Sequence, residues 1–309
     1  MSETKFKQYL QTIDWEHDRN LKELFEFWKE AHKKETEDLL EKMDKSNISK
    51  EEFEQKIYYK TGNTISSHFA QFFDKECENC SKSNESVEKP WELVLQKAFN
   101  MDGTYKNYEV REKGYRYICL LKEANDSKKV CVNDYLTCSD IVNQWVIDDG
   151  KDICDRKYKS DMLSKLNEAF FRLNENETSG VQKKDFDFTE HMAFMNVNKR
   201  GGTSTTAGRD ETAVIEYARK YKEFILQEIE ILTKKGEAIV FVCGGKSYFW
   251  RLMRALFDKE VEGNIEENGV FVKDKITYKQ IPHPSYWKIT SQKLTEEMQK
   301  VKVISCQKY

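Results

Sequence analysis

From Tyr115 onward, short apolar runs of strand character alternate with amphipathic helical patterns, and this alternation restricts the fold more than anything else in the chain. Tyr115–Leu121 is an aromatic and aliphatic run suited to a buried strand, Met192–Val197 is a second, and Ala238–Cys243 is the clearest. In a fourth run, Lys275–Ile281, Ile276, Tyr278 and Gln280 alternate with Thr277, Lys279 and Ile281. Between them lie helical patterns at Ile141–Trp145, Ser160–Leu173, the long Glu211–Lys235 and Tyr248–Phe257, with a last helix at Ser291–Lys300. Strands that alternate with helices build a parallel sheet covered on both faces. The expected fold class is therefore α/β: a three-layer α/β/α sandwich with a central, mostly parallel four-stranded sheet, preceded by a helical N-terminal region.

The helical region is assigned to residues 1–105 and the α/β domain to residues 106–309, because the texture changes after Asp102-Gly103. Leu21, Leu24, Phe25 and Trp28 recur at helical spacing and predict an amphipathic helix over Leu21–Met43. Ser49 followed by Glu52 forms a capping-box pattern, and Pro90 stands where a helix through Trp91, Leu93, Val94 and Phe99 would begin. A chain of 309 residues can bury a substantial core, and its 13% aromatic content supports a folded state despite 34% charged residues. A net charge of -3 announces no polybasic field, although an enzyme can clamp a few phosphates locally without one. No apolar run approaches the roughly 20 residues that cross a bilayer. The opening Met1-Ser-Glu-Thr-Lys-Phe-Lys has no signal-peptide core, so a cytoplasmic protein without membrane contact is expected. Cys119 and Cys243 sit in apolar runs and read as buried small hydrophobes. Cys77 and Cys80 form a lone Cys-x-x-Cys without a second pair, so reduced structural thiols are expected rather than a metal site or other cofactor.

Right-handed crossovers place the C-terminal ends of parallel strands along one edge, where ligands bind. Four segments are therefore expected to converge on one crevice: Lys122–Lys128, Asn196–Thr206, Gly244–Ser247 and Pro282–Thr290. In the first, Glu123 follows a buried strand and suits a base or the stabiliser of a developing cation; capping a helix or pairing with a lysine is the plainer role. Asn125 and Asp126 share that candidacy. In the second, Asn196 and Asn198 can donate and accept along the edge of a base, while Lys199, Arg200 and the following glycines suit phosphate. In the third, Gly245, Lys246 and Ser247 open a helix at a position that favours anions. It is not a nucleotide-binding Walker loop, because Val240 occupies the place of the required first glycine. In the fourth, His283 is held between Pro282 and Pro284, two of only three prolines in the chain. Each proline fixes φ and removes a donor, so the segment is a rigid loop aiming one imidazole, or an ordinary strand-to-helix turn.

Together these motifs resemble the uracil-DNA glycosylase superfamily across residues 110–305. Glu123-Ala124 matches the middle of the family's Gly-Glu-Ala-Pro-Gly motif, and His283-Pro284-Ser285 matches its His-Pro-Ser motif fully. Asn196-Val197-x-Lys199 is similar to its base-reading strand, and Gly245-Lys246-Ser247-Tyr248 to its phosphate loop. Lys122, Asn125 and Asp126 depart from the first motif, which implies a larger or differently charged pocket than one for plain uracil.

The resemblance implies a monofunctional DNA glycosylase acting on a flipped-out damaged or modified pyrimidine, either uracil or a modified cytosine such as those of phage DNA. The DNA partner would be double- or single-stranded. His283 would hydrogen-bond the leaving base and Glu123 would orient water, with Asn125 and Asp126 as further catalytic candidates. Asn196, Tyr135 and Ala124 would contact the base. Lys199, Arg200, Gly245, Lys246, Ser247 and Ser285 would hold phosphates, and Tyr286 and Trp287 would fill the vacated stack. Two rival readings are a catalytically inactive DNA- or nucleotide-binding module of the same fold and an unrelated α/β enzyme using His283 and Glu123 on a small molecule.

Overall fold

Apolar side chains at helical spacing bring Leu21–Glu41 together as a helix and leave Leu21, Leu24, Phe25, Trp28 and Ala31 without solvent exposure. The computed structural model describes residues 4–41, 109–125, 161–174, 186, 188, 191–202, 209–261, 268–286 and 288–307. In chain order the elements are α1 (Lys5–Thr12), α2 (Leu21–Glu41), β1 (Tyr117–Asn125), α3 (Asp161–Leu173), β2 (Met192–Gly202), α4 (Arg209–Lys220) and α5 (Lys222–Thr233). They continue with β3 (Ala238–Cys243), α6 (Lys246–Phe257), β4 (Val270–Lys273), β5 (Ile276–Ile281) and α7 (Ser291–Gln307).

The strands form one five-stranded sheet in the order β2-β1-β3-β5-β4. β1 pairs with β3, and β3 with β5, in parallel; β4 pairs with β5 antiparallel. The expected four-stranded sheet thus gains a fifth, edge strand. It is joined to β5 through Asp274, whose φ of 53° supplies the left-handed turn a short hairpin needs. The helix expected over Glu211–Lys235 is two helices, with Tyr221 between them. The patterns at Ser49–Ile57, Pro90–Phe99 and Ile141–Trp145, and the boundary at residue 105, lie outside the described residues.

The chain divides into two compact units that cut across β1, β2 and α5. One contains, among the described residues, 4–41, 122–125, 196–202 and 209–228. Its helix α2 starts with a reciprocal cap: Glu23 N–H donates to Asn20 Oδ1 at 2.9 Å and Asn20 N–H to Glu23 Oε2 at 3.0 Å. Asp38 of α2 accepts from the N–H groups of Lys5 and Phe6 at 2.8 and 2.9 Å, satisfying donors that the first turn of α1 would otherwise leave open. The core between α2, α4 and α5 is aromatic. Trp28 stacks on Tyr217, Tyr221 and Phe224 at 6.4, 6.3 and 5.2 Å, and burying each such ring contributes about 1.5–3 kcal/mol. Its polar groups are paired inside: His32 Nε2 lies 2.6 Å from Tyr217 Oη, Tyr221 donates to Glu35 at 2.6 Å, and Lys220 pairs with the same carboxylate.

The other unit contains the described residues 109–121, 161–195 where described, 229–261, 268–286 and 288–307. One face of its sheet presents Tyr117, Cys119, Leu121, Phe241, Cys243 and Ile281 to Phe170 and Leu173 of α3 and to Leu294 and Met298 of α7. Residues one step along each strand point the other way, and Ile118, Leu120, Val240 and Val242 are as deeply buried. On that side Phe257 of α6 packs on Tyr278 at 5.2 Å. Continuous apolar strands are thus explained by cover on both faces.

Gly114 delivers the chain into β1. Its φ is +70°, and a Cβ there would lie 2.6 Å from the carbonyl carbon and oxygen of Thr233 at the end of α5. The next residue donates to the same helix end, Tyr115 N–H to Leu232 O at 2.7 Å. Gly114→Ala is therefore expected to lower unfolding free energy by about 1–3 kcal/mol, read as a lower urea midpoint at unchanged slope.

Candidate functional site

In parallel register Cys243 of β3 stands beside Ile281 of β5, so the loops that leave these two strands emerge side by side. Two hydrogen bonds join them: Gly244 N–H donates to Ile281 O at 2.9 Å, and Gln280 Nε2 donates to Gly244 O at 2.7 Å. Gly244 has no room for a side chain, because a Cβ would lie 2.5 Å from the ring of Tyr248. At Gly245 a Cβ would meet nothing within 4 Å. Gly245 is the N-cap of α6 and offers no side-chain cap, and Lys246 and Ser247 are exposed in the first helical turn. The expected loop Gly244–Ser247 is therefore half turn and half helix start.

The companion loop is built around His283. Tyr286 N–H donates to His283 O at 3.0 Å, closing a β-turn with Pro284 at its second position, where a fixed φ is favoured. Thr290 Oγ1 then caps α7 by accepting from Lys293 N–H at 3.2 Å. The turn brings Ser285 back onto the imidazole: Ser285 N–H lies 3.2 Å from His283 Nδ1, and Ser285 Oγ lies 2.7 Å from it. A backbone amide can only donate, so Nδ1 is an acceptor. In the neutral ring the proton is then on Nε2, which makes Nε2 a donor. His283 is half-buried, Pro284 buried and Ser285 exposed, while Tyr286 is 49% exposed.

The remaining sequence candidates stand differently from expectation. β1 runs through Asn125, so Glu123, Ala124 and Asn125 lie in the strand and not in a loop after it. Likewise β2 runs to Gly202, so Asn196, Lys199 and Arg200 are strand residues. All six belong to the unit that holds α1 and α2. Asn196 is buried, at 5% exposure. Lys199 corrects a sequence expectation outright. It has no solvent exposure, its Nζ lies 2.7 Å from the equally buried carboxylate of Glu228, and it faces the rings of Phe25 and Trp28 at 5.7 and 5.1 Å. A cation so enclosed is committed to the core and does not reach a phosphate from solvent. Lys122 pairs with Glu211 at 2.8 Å and so ties β1 to the first turn of α4. Asp126, Tyr135 and Trp287 lie outside the described residues, as do Cys77 and Cys80.

Gln280 was not singled out from the sequence, yet its amide joins the two loops. The sequence signal is slight: Gln280 is the last polar residue of β5, one step before the turn, where a side-chain amide can reach backbone groups of the neighbouring loop. Among the described residues no group of three or more His, Cys, Asp or Glu is arranged to hold a metal ion, and no helix is long and apolar enough to cross a membrane. Comparison with family models, curated proteins and solved structures gives no match.

Proposed function

We propose that this chain is a monofunctional DNA glycosylase that hydrolyses the N-glycosidic bond of a flipped-out damaged or modified pyrimidine and leaves an abasic site. The frame inferred for it is the three-layer α/β/α sandwich, with the added edge strand β4. The observation that carries the reading is the His283–Ser285 turn, in which a backbone amide occupies Nδ1 and makes Nε2 the donor. As the glycosidic bond breaks, electrons move onto the departing base and negative charge collects on a carbonyl oxygen. A preorganised N–H aimed at that oxygen is worth most where charge develops, on the order of 3 kcal/mol.

In this reading Glu123 orients the attacking water or stabilises the sugar cation, with Asn125 and Asp126 beside it. Asn196 reads the base edge, Ala124 and Tyr135 contact the base, and Gly245, Lys246, Ser247, Ser285 and Arg200 hold phosphates. Tyr286 and Trp287 fill the gap in the stack. Lys199 drops out of the DNA-binding set. The water supplies the nucleophile, and no cofactor enters the proposal.

The test incubates the protein with oligonucleotides carrying uracil and with phage DNA carrying modified cytosine, then cleaves abasic sites with alkali. Strand breaks that disappear in Glu123→Gln and His283→Ala support the proposal. DNA binding without abasic sites on any modified substrate replaces it by the inactive DNA- or nucleotide-binding reading. Neither binding nor cleavage leaves an α/β enzyme acting on a small molecule.

A further inference from the structure

Several cations on other helices pair with an acid of the same helix: Lys29 with Glu26, Lys34 with Glu30, Arg172 with Glu168, Arg219 with Glu216 and Lys300 with Glu297. Helix α6 offers its cations no such acid. Its sequence, Lys-Ser-Tyr-Phe-Trp-Arg-Leu-Met-Arg-Ala-Leu-Phe, contains three cations and no acidic residue. Tyr248, Phe249, Leu252, Met253, Ala255 and Leu256 are buried, which confines Lys246, Trp250, Arg251 and Arg254 to the solvent side. At about 100° per residue those four positions fall within an arc of roughly 140°. Lys246, Trp250 and Arg254 follow one another at intervals of four residues, so the half-buried indole lies between an exposed lysine one turn before and an exposed arginine one turn after. The two end cations are separated by ~12 Å along the axis. Neither Lys246 nor Arg254 has an ion-pair partner among the described residues.

From this pattern we propose that the solvent face of α6 is a docking surface for the sugar-phosphate backbone of a nucleic acid. Cations alone would suit any polyanion. Trp250 between them favours nucleic acid over an acidic protein, because its ring offers a stacking surface to a sugar or base while the flanking charges meet phosphates. The stripe begins at Lys246, beside the loop pair that carries His283, and extends that loop's phosphate contacts along the helix through Trp250, Arg251 and Arg254. It stands on the charge and exposure of α6 and does not require glycosylase activity.

Fluorescence anisotropy of a labelled, unmodified 20-residue DNA, single-stranded and duplex, tests it across a salt series. Lys246→Glu/Arg254→Glu is expected to weaken binding at least tenfold at low salt. The slope of log affinity against log salt should flatten by about one for each phosphate that is no longer neutralised. Trp250→Ala is expected to weaken binding severalfold without changing that slope. Lys300→Glu on α7 serves as the charge control and is expected to leave binding intact. Equal effects of the double variant and Lys300→Glu, or no effect of either, would overturn the proposal. Polyglutamate displacing the DNA as effectively as heparin, with Trp250→Ala silent, would overturn it in favour of an acidic protein partner. The abasic-site assay separates the two readings: α6-dependent binding without base excision defeats the glycosylase and keeps the docking surface.

Discussion

Glu228→Ala is expected to reduce unfolding free energy by about 3–5 kcal/mol, a large effect for a single substitution. Glu228 and Lys199 are both fully buried and their charged atoms are 2.7 Å apart. Removing the carboxylate leaves an ammonium ion among Phe25, Trp28 and the surrounding core, away from water. Lys199→Met alone leaves the opposite charge stranded and should cost a similar amount. The double change Lys199→Met/Glu228→Leu removes both desolvation penalties and is expected to return stability to within about 1 kcal/mol of the parent, or above it. Urea unfolding reads this as a midpoint that falls on the order of 1–3 M for each single variant and recovers in the double. Single variants as stable as the double would mean that the pair is solvated, and the enclosed geometry would then be wrong. The pair also gives α2 a definite role, because the helix's aromatic face closes over Lys199 and so helps to seal the core around β2.

On the proposed glycosylase reading, His283→Ala is expected to slow abasic-site formation 100- to 1000-fold with little change in KM, since the lost donor would act on charge that appears only as the bond breaks. Ser285→Ala offers the graded control. It removes the hydroxyl 2.7 Å from Nδ1 but keeps the backbone N–H that sets the tautomer. The loss should be about tenfold or less, in keeping with one neutral hydrogen bond. A His283→Ala protein that excises at the parent rate would remove the imidazole from the mechanism, whatever base is taken.

Much of the sheet was legible because strands buried on both faces are apolar, and Ala238–Cys243 and the start of β2, Met192–Met195, announce themselves that way. β4 escaped notice: four residues are too few for a period, and Lys273-Asp274-Lys275 reads as a loop unless Asp274 is given its left-handed conformation. The ends of β1 and β2 were placed too early for a related reason. Lys122–Asn125 and Asn198–Gly202 are polar, and polar residues continue a strand only when helices or a partner strand meet them. Lys199 was the most instructive misreading. Beside Arg200 and two glycines a lysine looks made for phosphate, and nothing local reveals that Phe25, Trp28 and Glu228, distant in sequence, enclose it. His283 shows the opposite case, because its turn is written in adjacent residues: Pro284 sets the bend and Ser285 supplies the amide.

The two cysteines of the central strands give the sheet a timer of its own. Cys119 and Cys243 are buried with their sulfurs 3.3 Å apart, and burial pushes the Cys243 thiol well above its ordinary range. An alkylating reagent attacks only an exposed thiolate, so neither sulfur can be labelled until the sheet face beneath α3 and α7 is uncovered. With reagent in excess, their disappearance counts openings at the middle of the sheet one by one. Loss of the two thiols together would show that face opening as a unit, and loss of one ahead of the other would show that it opens in steps.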